Sequence, residues 1–232
     1  MAAAPVALIL GSGPRVGAVV AQKFASSGYK VAVASRKAAG GKTAEGFLSI
    51  KADLSQPETI PALFDAVKAE FKSPPTVVVY NAAALTPPPG EGAPLSIPTE
   101  SFTSDLNINT VSPYVAAQQA IAGWETLPKG TKTAFIYTGN KLNLVVMPGP
   151  VLTNLGVGKA ASAYWIGVAD AAYSARGYRF FYADERAENG NSKGSNIDAP
   201  AHADFYAQLA NHEGDIPWLA TFVAGKGYVK FD

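Results

Sequence analysis

The chain has 232 residues, nearly half of them apolar and only 16% charged, with a net charge of +1. That is enough apolar material for one large core, and the near-balance of charge gives no electrostatic reason to expect nucleic acid or an anionic membrane as a partner. The absence of cysteine excludes disulfides and thiolate chemistry, and two histidines, His202 and His212, give no basis for a His-built metal centre.

The first ten residues are apolar but lack a basic leading region, and Gly11-Ser-Gly-Pro interrupts them too early for a signal peptide. No stretch approaches the roughly 20 apolar residues of a membrane span, so a soluble cytoplasmic protein is expected. Val6–Leu10 reads as a buried strand and Pro14–Ser27 as a helix ended by Gly28. Lys30–Ser35 and Phe47–Lys51 read as the second and third strands. In Gln56–Lys72, Leu63, Val67 and Phe71 recur four apart, which predicts a helix. Thr76–Tyr80 is a fourth strand, followed by a Pro/Gly-rich loop over Thr86–Pro98. Glu100–Trp124 is helical with a break near Pro113, and Lys132–Thr138 is a fifth strand. Gly156–Arg176 is a long helix, Tyr178–Ala183 a sixth strand and Gly227–Phe231 a seventh. Asp184–Asp198 reads as a polar loop.

Continuous apolar strands alternating with helices mean a parallel sheet covered on both faces. Right-handed crossovers then lead to a Rossmann-like doubly wound α/β sheet of about seven strands, formed by residues 1–232 as a single domain. The helices around Val111–Trp124 and Lys159–Ala175 are rich in alanine and apolar on nearly every side. Burial within one chain is one reading; the other, preferred here, is a helix-packed homodimer or homotetramer.

The first strand runs into Gly11-Ser-Gly-Pro-Arg-Val-Gly17, where a helix begins. Phosphate groups bind backbone N–H groups at a helix N-terminus, and glycines let the chain come close. Gly11 serves the tight turn, Gly13 the close approach and Gly17 the packing of helix on strand, with Arg15 and Val16 in the same turn. The second strand ends Ser35-Arg36-Lys37, where an NAD site would place a carboxylate for the adenosine ribose. Ser35 and Arg36 can instead hold a 2′-phosphate, with Arg15 as a second cation, so NADP(H) is the expected cofactor. Ordinary solvated charges at a strand end are the alternative.

At these residues the chain resembles the short-chain dehydrogenase/reductase superfamily. The glycine turn is similar to that family's Thr-Gly-x-x-x-Gly-x-Gly motif at Gly11 and Gly17, with Arg15 in place of the middle glycine. Asp53 and Leu54 resemble the positions that meet the adenine. Asn81-Ala82-Ala83 resembles the Asn-Ala-Gly motif. Asn109 resembles the helix asparagine that supports a catalytic lysine through water, and Lys159 the lysine of Tyr-x-x-x-Lys. The resemblance implies that Lys159 also holds the nicotinamide ribose.

The family's proton chemistry does not carry over. Where the resemblance implies a tyrosine four residues before Lys159, the chain has Leu155, which cannot carry a proton. Asn140 stands nearest the position of the family's serine, with Thr138 as second candidate, and can donate to a developing oxyanion. Asp184, Glu185 and His202 are candidate replacements for the phenol, Asp184 first, with a solvated loop as their alternative. A water held by Lys159 and Asn140 is a further option. An iminium or polarised double bond would need little proton help. Three functions follow: an NADP(H)-dependent oxidoreductase acting on a small carbonyl, imine or activated double bond; a non-catalytic NADP(H)-binding sensor or partner subunit; and a methyltransferase, which Ser35-Arg36 argues against.

Overall fold

Every residue of β1 (Val6–Leu10) is fully buried, which requires cover on both faces of the strand. The computed structural model, which describes residues 4–147 and 149–231, supplies that cover. In chain order, β1 is followed by α1 (Val16–Ser26), β2 (Lys30–Ser35), β3 (Gly41–Lys42), β4 (Leu48–Lys51), α2 (Ile60–Phe71) and β5 (Val77–Tyr80). Then come α3 (Thr99–Leu106), α4 (Ser112–Trp124), β6 (Thr133–Thr138), α5 (Thr153–Tyr173), β7 (Tyr178–Glu185), α6 (Ala199–Ala210), β8 (Leu219–Val223) and β9 (Gly227–Tyr228). The strands form one sheet in the order β3-β4-β2-β1-β5-β6-β7-β8-β9, parallel except for short antiparallel β3 and β9 at its edges. The chain reverses direction across the sheet between β1 and β5, the switch point at which such sheets bind ligands.

Period-two alternation sorts the strand residues between two cores. Leu8, Tyr80, Tyr137 and Tyr182 face α2, α4 and α5, while Ile9, Val79, Ile136 and Phe181 face α1 and α6. Among the described residues nine strands replace the seven read from the sequence, because β3 is two residues long and β8 had no periodic signal. The expected strand at 227–231 is the two-residue β9. Pairing with β8, through Asp184 opposite Thr221 and Glu185 opposite Phe222, carries β7 two residues past Ala183. The expected loop from Asp184 therefore begins as strand, and Asp184 and Glu185 are buried rather than solvated.

The break expected near Pro113 lies just before it. Asn107–Val111 is a π-helical turn between α3 and α4, in which Ser112 N bonds the Asn107 carbonyl. That leaves the Ile108 carbonyl without its α-helical donor, and Pro113, lacking an N–H, cannot serve Asn109. Side chains fill both gaps: the Tyr80 hydroxyl donates to the Ile108 carbonyl (2.7 Å), and Tyr137 and Ser162 donate to that of Asn109 (2.7 and 2.8 Å). Among the described residues no helix is long and apolar enough to cross a membrane.

Candidate active site

At the C-terminal ends of β1, β5, β6 and β7 lies a cavity of about 490 Å³. The glycine turn forms one wall. Gly11 adopts φ +94°, and a Cβ there would stand 2.5 Å from Ala82 N; a Cβ on Gly17 would stand 2.5 Å from the Gly11 carbonyl oxygen. Both glycines are fixed by packing. Gly13 is different: it lines the cavity, a Cβ there would meet nothing within 4 Å, and its backbone does not require glycine. No side chain caps α1 and no acidic residue sits in its first turn, so its leading N–H groups remain available to an anion.

The floor is a chain of hydrogen bonds. Asn81 Nδ2 donates to the Gly11 carbonyl (2.9 Å), while Asn81 Oδ1 accepts from Thr138 Oγ1 (3.0 Å), which itself accepts from the Tyr206 hydroxyl (2.8 Å). Lys159 Nζ donates to the Thr138 carbonyl (2.7 Å) and stands 4.3 Å from the centre of the Tyr137 ring. Burial pushes the Lys159 ammonium down from 10.5 to about 7, although the nearby Asp184 carboxylate pulls the other way. Lys159 is thus a buried cavity group able to exchange a proton near neutrality.

Asn140 Oδ1 accepts from Leu142 N (3.1 Å), leaving the amide N–H₂ as the end that can donate. Its backbone is pinned by Tyr182, whose hydroxyl donates to the Asn140 carbonyl (2.8 Å) and accepts from its N–H (3.1 Å). Gly139 has to be glycine because a Cβ would run into the Tyr182 ring. Tyr80, Tyr137 and Tyr182 stack side by side across β5, β6 and β7, with centroids 5.8 and 5.6 Å apart. Burial raises all three phenols above their ordinary range, so they stay protonated at neutral pH.

The end of β7 places carboxylates on opposite faces. Asp184 pairs with buried Arg186, and burial raises its carboxyl against the pull of Arg186, Lys159 and Lys141. Glu185 Oε2 accepts from Asp198 N (2.8 Å) and lies 3.6 Å from His202 Nδ1. Glu185 Oε1 is buried without a hydrogen bond; Lys193 Nζ stands 3.4 Å away, out of alignment. Burial lowers His202. Arg15 Nη2 donates to the Ser195 carbonyl (2.7 Å), tying the segment at 192–195 over the glycine turn.

Of the residues singled out from sequence, Gly13, Arg15, Val16, Asn81, Ala83, Asn140, Lys159 and Asp184 line this one cavity, as do Leu155, Glu185 and His202. Gly11, Gly17 and Ala82 pack beneath it. Asn109 lies behind it, fully buried, its side chain bonded to both the N–H and the carbonyl of Ala84 (2.9 Å each). Its carbonyl accepts from the hydroxyls of Tyr137 and Ser162. Ser35, Arg36, Asp53 and Leu54 lie outside the cavity, beyond the ends of β2 and β4; the Arg36 charge helps, after two bonds from Ser55, to lower Asp53. Tyr164 is 78% exposed, so it has no part here. Sequence reasoning missed Tyr182, Tyr206 and the tyrosine stack. The signal of the stack was one tyrosine in the C-terminal half of each of three strands, visible only once register aligned them.

Strand order, switch point and glycine turn define an α/β protein of the doubly wound class. The chain belongs to the short-chain dehydrogenase/reductase family of oxidoreductases: a family model described as enoyl-(acyl carrier protein) reductase matches residues 15–165, and a full-length relative agrees. That relative, the short chain dehydrogenase/reductase dmxR12 of Cryptosporiopsis sp. (strain 8999), is 40% identical over 237 residues, covering 98% of this chain and 95% of its own. The 3-oxoacyl-[acyl-carrier-protein] reductase MabA of Mycobacterium tuberculosis is 24% identical over 155 residues, 67% of this chain and 54% of that one. Among solved structures, 3-ketoacyl-(acyl-carrier-protein) reductase from Brucella melitensis, complexed with NADH, superposes with a TM-score of 0.78 at 20% identity, covering 96% of this chain and 98% of that one. A short chain dehydrogenase from Burkholderia cenocepacia in complex with NADP gives 0.73 at 21%, covering 96% and 97%. These structures share the fold.

Proposed function

We propose that the chain is an NADP(H)-dependent oxidoreductase that reduces, or in reverse forms, a carbonyl, imine or activated double bond, using a lysine where its family uses a tyrosine. The observation that carries this is Lys159: a buried, proton-exchanging ammonium in the same cavity as the glycine turn, with Leu155 one helical turn before it. The residues fit a dinucleotide. Gly13 leaves open the space a pyrophosphate needs, and the uncapped start of α1 with Val16 offers it donors. Asn81, Ala82 and Ala83 form the bed beyond the turn. Ser35 and Arg36, at the tip of β2, take the 2′-phosphate, with Arg15 close by, and Asp53 and Leu54 border the adenine.

When bound, the reduced nicotinamide supplies the hydride that adds to the electrophilic carbon. Lys159 then gives a proton to the resulting oxygen or nitrogen, and Asn140 N–H₂ steadies the charge as it forms. Asp184, close enough to raise the lysine's proton affinity, holds Lys159 near neutrality from behind. Asn109 fixes the back wall through Ala84. The whole chain, 1–232, acts as one unit, and copies pair through the apolar surfaces of α4 and α5, where Tyr114, Tyr164 and Val168 are exposed.

The test is a titration of the purified protein with NADPH and NADH, followed by thermal stabilisation, since a ligand that binds only the folded state raises its stability. Tighter binding of NADPH by about tenfold is expected from one charge-assisted contact to the 2′-phosphate. Equal response to both, or to neither, overturns the cofactor assignment. Leu155 favours one second reading, a non-catalytic NADP(H)-binding protein. Binding of NADPH without its oxidation across a panel of ketones, imines and enones would establish it.

A further inference from the structure

Beside the first cavity runs a groove of about 570 Å³ whose walls include Gly92, Pro94, Leu142, Val146, Gly156 and Ala160. It shares Leu142, Met147 and Leu152 with the cavity that holds Lys159, so the two spaces adjoin. Its lining is apolar almost throughout. Among the described residues, eight of the twelve exposed large apolar side chains belong to 85–95 and 144–157, the stretches that supply or flank these walls; Leu95 is 92% exposed and Val146 95%. Apolar surface gathered so densely at one mouth marks a binding surface rather than scattered exposure.

Gly156 adds an independent observation. It sits inside α5 on the groove, where glycine weakens a helix, and a Cβ there would meet nothing within 4 Å. No packing and no turn asks for a glycine at this place. A long side chain at this place would project into the groove. The size is that of a site for one organic molecule, with the polar groups confined to the end where Lys159 and Asn140 stand.

We propose that this groove binds the apolar body of the substrate, an aromatic or otherwise bulky hydrophobic ketone whose carbonyl reaches past the shared wall of Leu142, Met147 and Leu152 to Lys159. The proposal rests on the oxidoreductase reading for the carbonyl end alone; the apolar end stands on the groove. The surface through which copies pair, carrying Tyr114, Tyr164 and Val168, lies farther along α4 and α5.

The probe is 6-propionyl-2-(dimethylamino)naphthalene, a neutral naphthyl ketone whose emission shifts to the blue on leaving water. Wild type is expected to bind it saturably, one per chain. Gly156→Ala should retain binding, because one methyl leaves the groove open. Gly156→Leu should weaken it by about tenfold or more while its melting temperature holds or rises, since leucine both fills the groove and favours the helix. Val146→Lys, at a position too exposed to affect folding, should weaken binding several-fold. With NADPH, naphthyl ketones should be turned over with higher kcat/KM than acetone. Non-saturable binding to wild type, or equal binding by Gly156→Leu and Val146→Lys, overturns the proposal. So does a change of oligomeric state in Gly156→Leu, which would make the groove a contact between copies. Probe binding intact without any response to NADPH would sink the cofactor reading and leave the groove standing.

Discussion

Replacing Lys159 with methionine is expected to stabilise the protein at acid pH while abolishing its activity. Burial moves Lys159 from 10.5 to about 7. At about 1.4 kcal/mol per pH unit, keeping that ammonium charged in the folded state costs up to about 5 kcal/mol. That figure already includes the attraction to Asp184; methionine fills a similar volume without the charge, but it removes the 2.7 Å bond to the Thr138 carbonyl, worth about 1–3 kcal/mol. The balance near pH 6 is a gain of roughly 2 kcal/mol. The folded value lies below the unfolded one, which fixes the sign. Below about pH 7 both states carry the proton and the whole penalty applies. Between about 7 and 10.5 the folded state has released it while the unfolded chain keeps it, so wild-type stability climbs with pH and the variant's advantage shrinks. Urea unfolding followed by tryptophan fluorescence, near pH 6 and again near pH 9, measures both differences. A variant less stable than wild type near pH 6, or a gap that is the same at both pH values, refutes the reasoning.

Gly11→Ala and Gly13→Ala should part company. The first meets Ala82 at φ +94° and should lose about 2 kcal/mol or more of stability, read as a fall in melting temperature; the second should melt like wild type yet lose NADPH affinity. Arg36→Ala should weaken NADPH binding about tenfold and leave NADH unchanged in parallel titrations. Tyr137→Phe should cost about 1 kcal/mol, since Ser162 still serves the Asn109 carbonyl, and the further change Ser162→Ala should cost more than the sum of the singles in a double-mutant cycle of urea melts.

Most of the frame was legible because the signals were redundant. The run Val6–Leu10 followed by spaced glycines announces a buried strand, a phosphate turn and a helix together, and each constrains the others. Helix ends were off by a few residues, as at Thr153, where α5 starts three residues before the expected Gly156. Two strands were missed: β3, at an edge and two residues long, carries no period, and β8 (Leu219–Val223) showed none. The site was half legible. Gly13 was found through local spacing, Asn81 and Lys159 through the family resemblance, and the three do meet in one cavity. The burial of Asp184 and Glu185 was not, because it depends on β8, a partner more than 30 residues away in sequence whose pairing turns an apparently polar loop into strand. Nor could sequence show that Arg15 reaches the Ser195 carbonyl, 180 residues on.

The π-helical turn at Asn107–Val111 has a bearing on how the molecule assembles. Its two spare carbonyls are met by hydroxyls from Tyr80, Tyr137 and Ser162, which lie 28, 28 and 53 residues away along the chain. Left to itself, this stretch would wind as ordinary α-helix up to its proline, so its native geometry is conditional on two strands and a helix already being in position. The rear of the cavity is therefore expected to set late in folding, after the distant partners have docked.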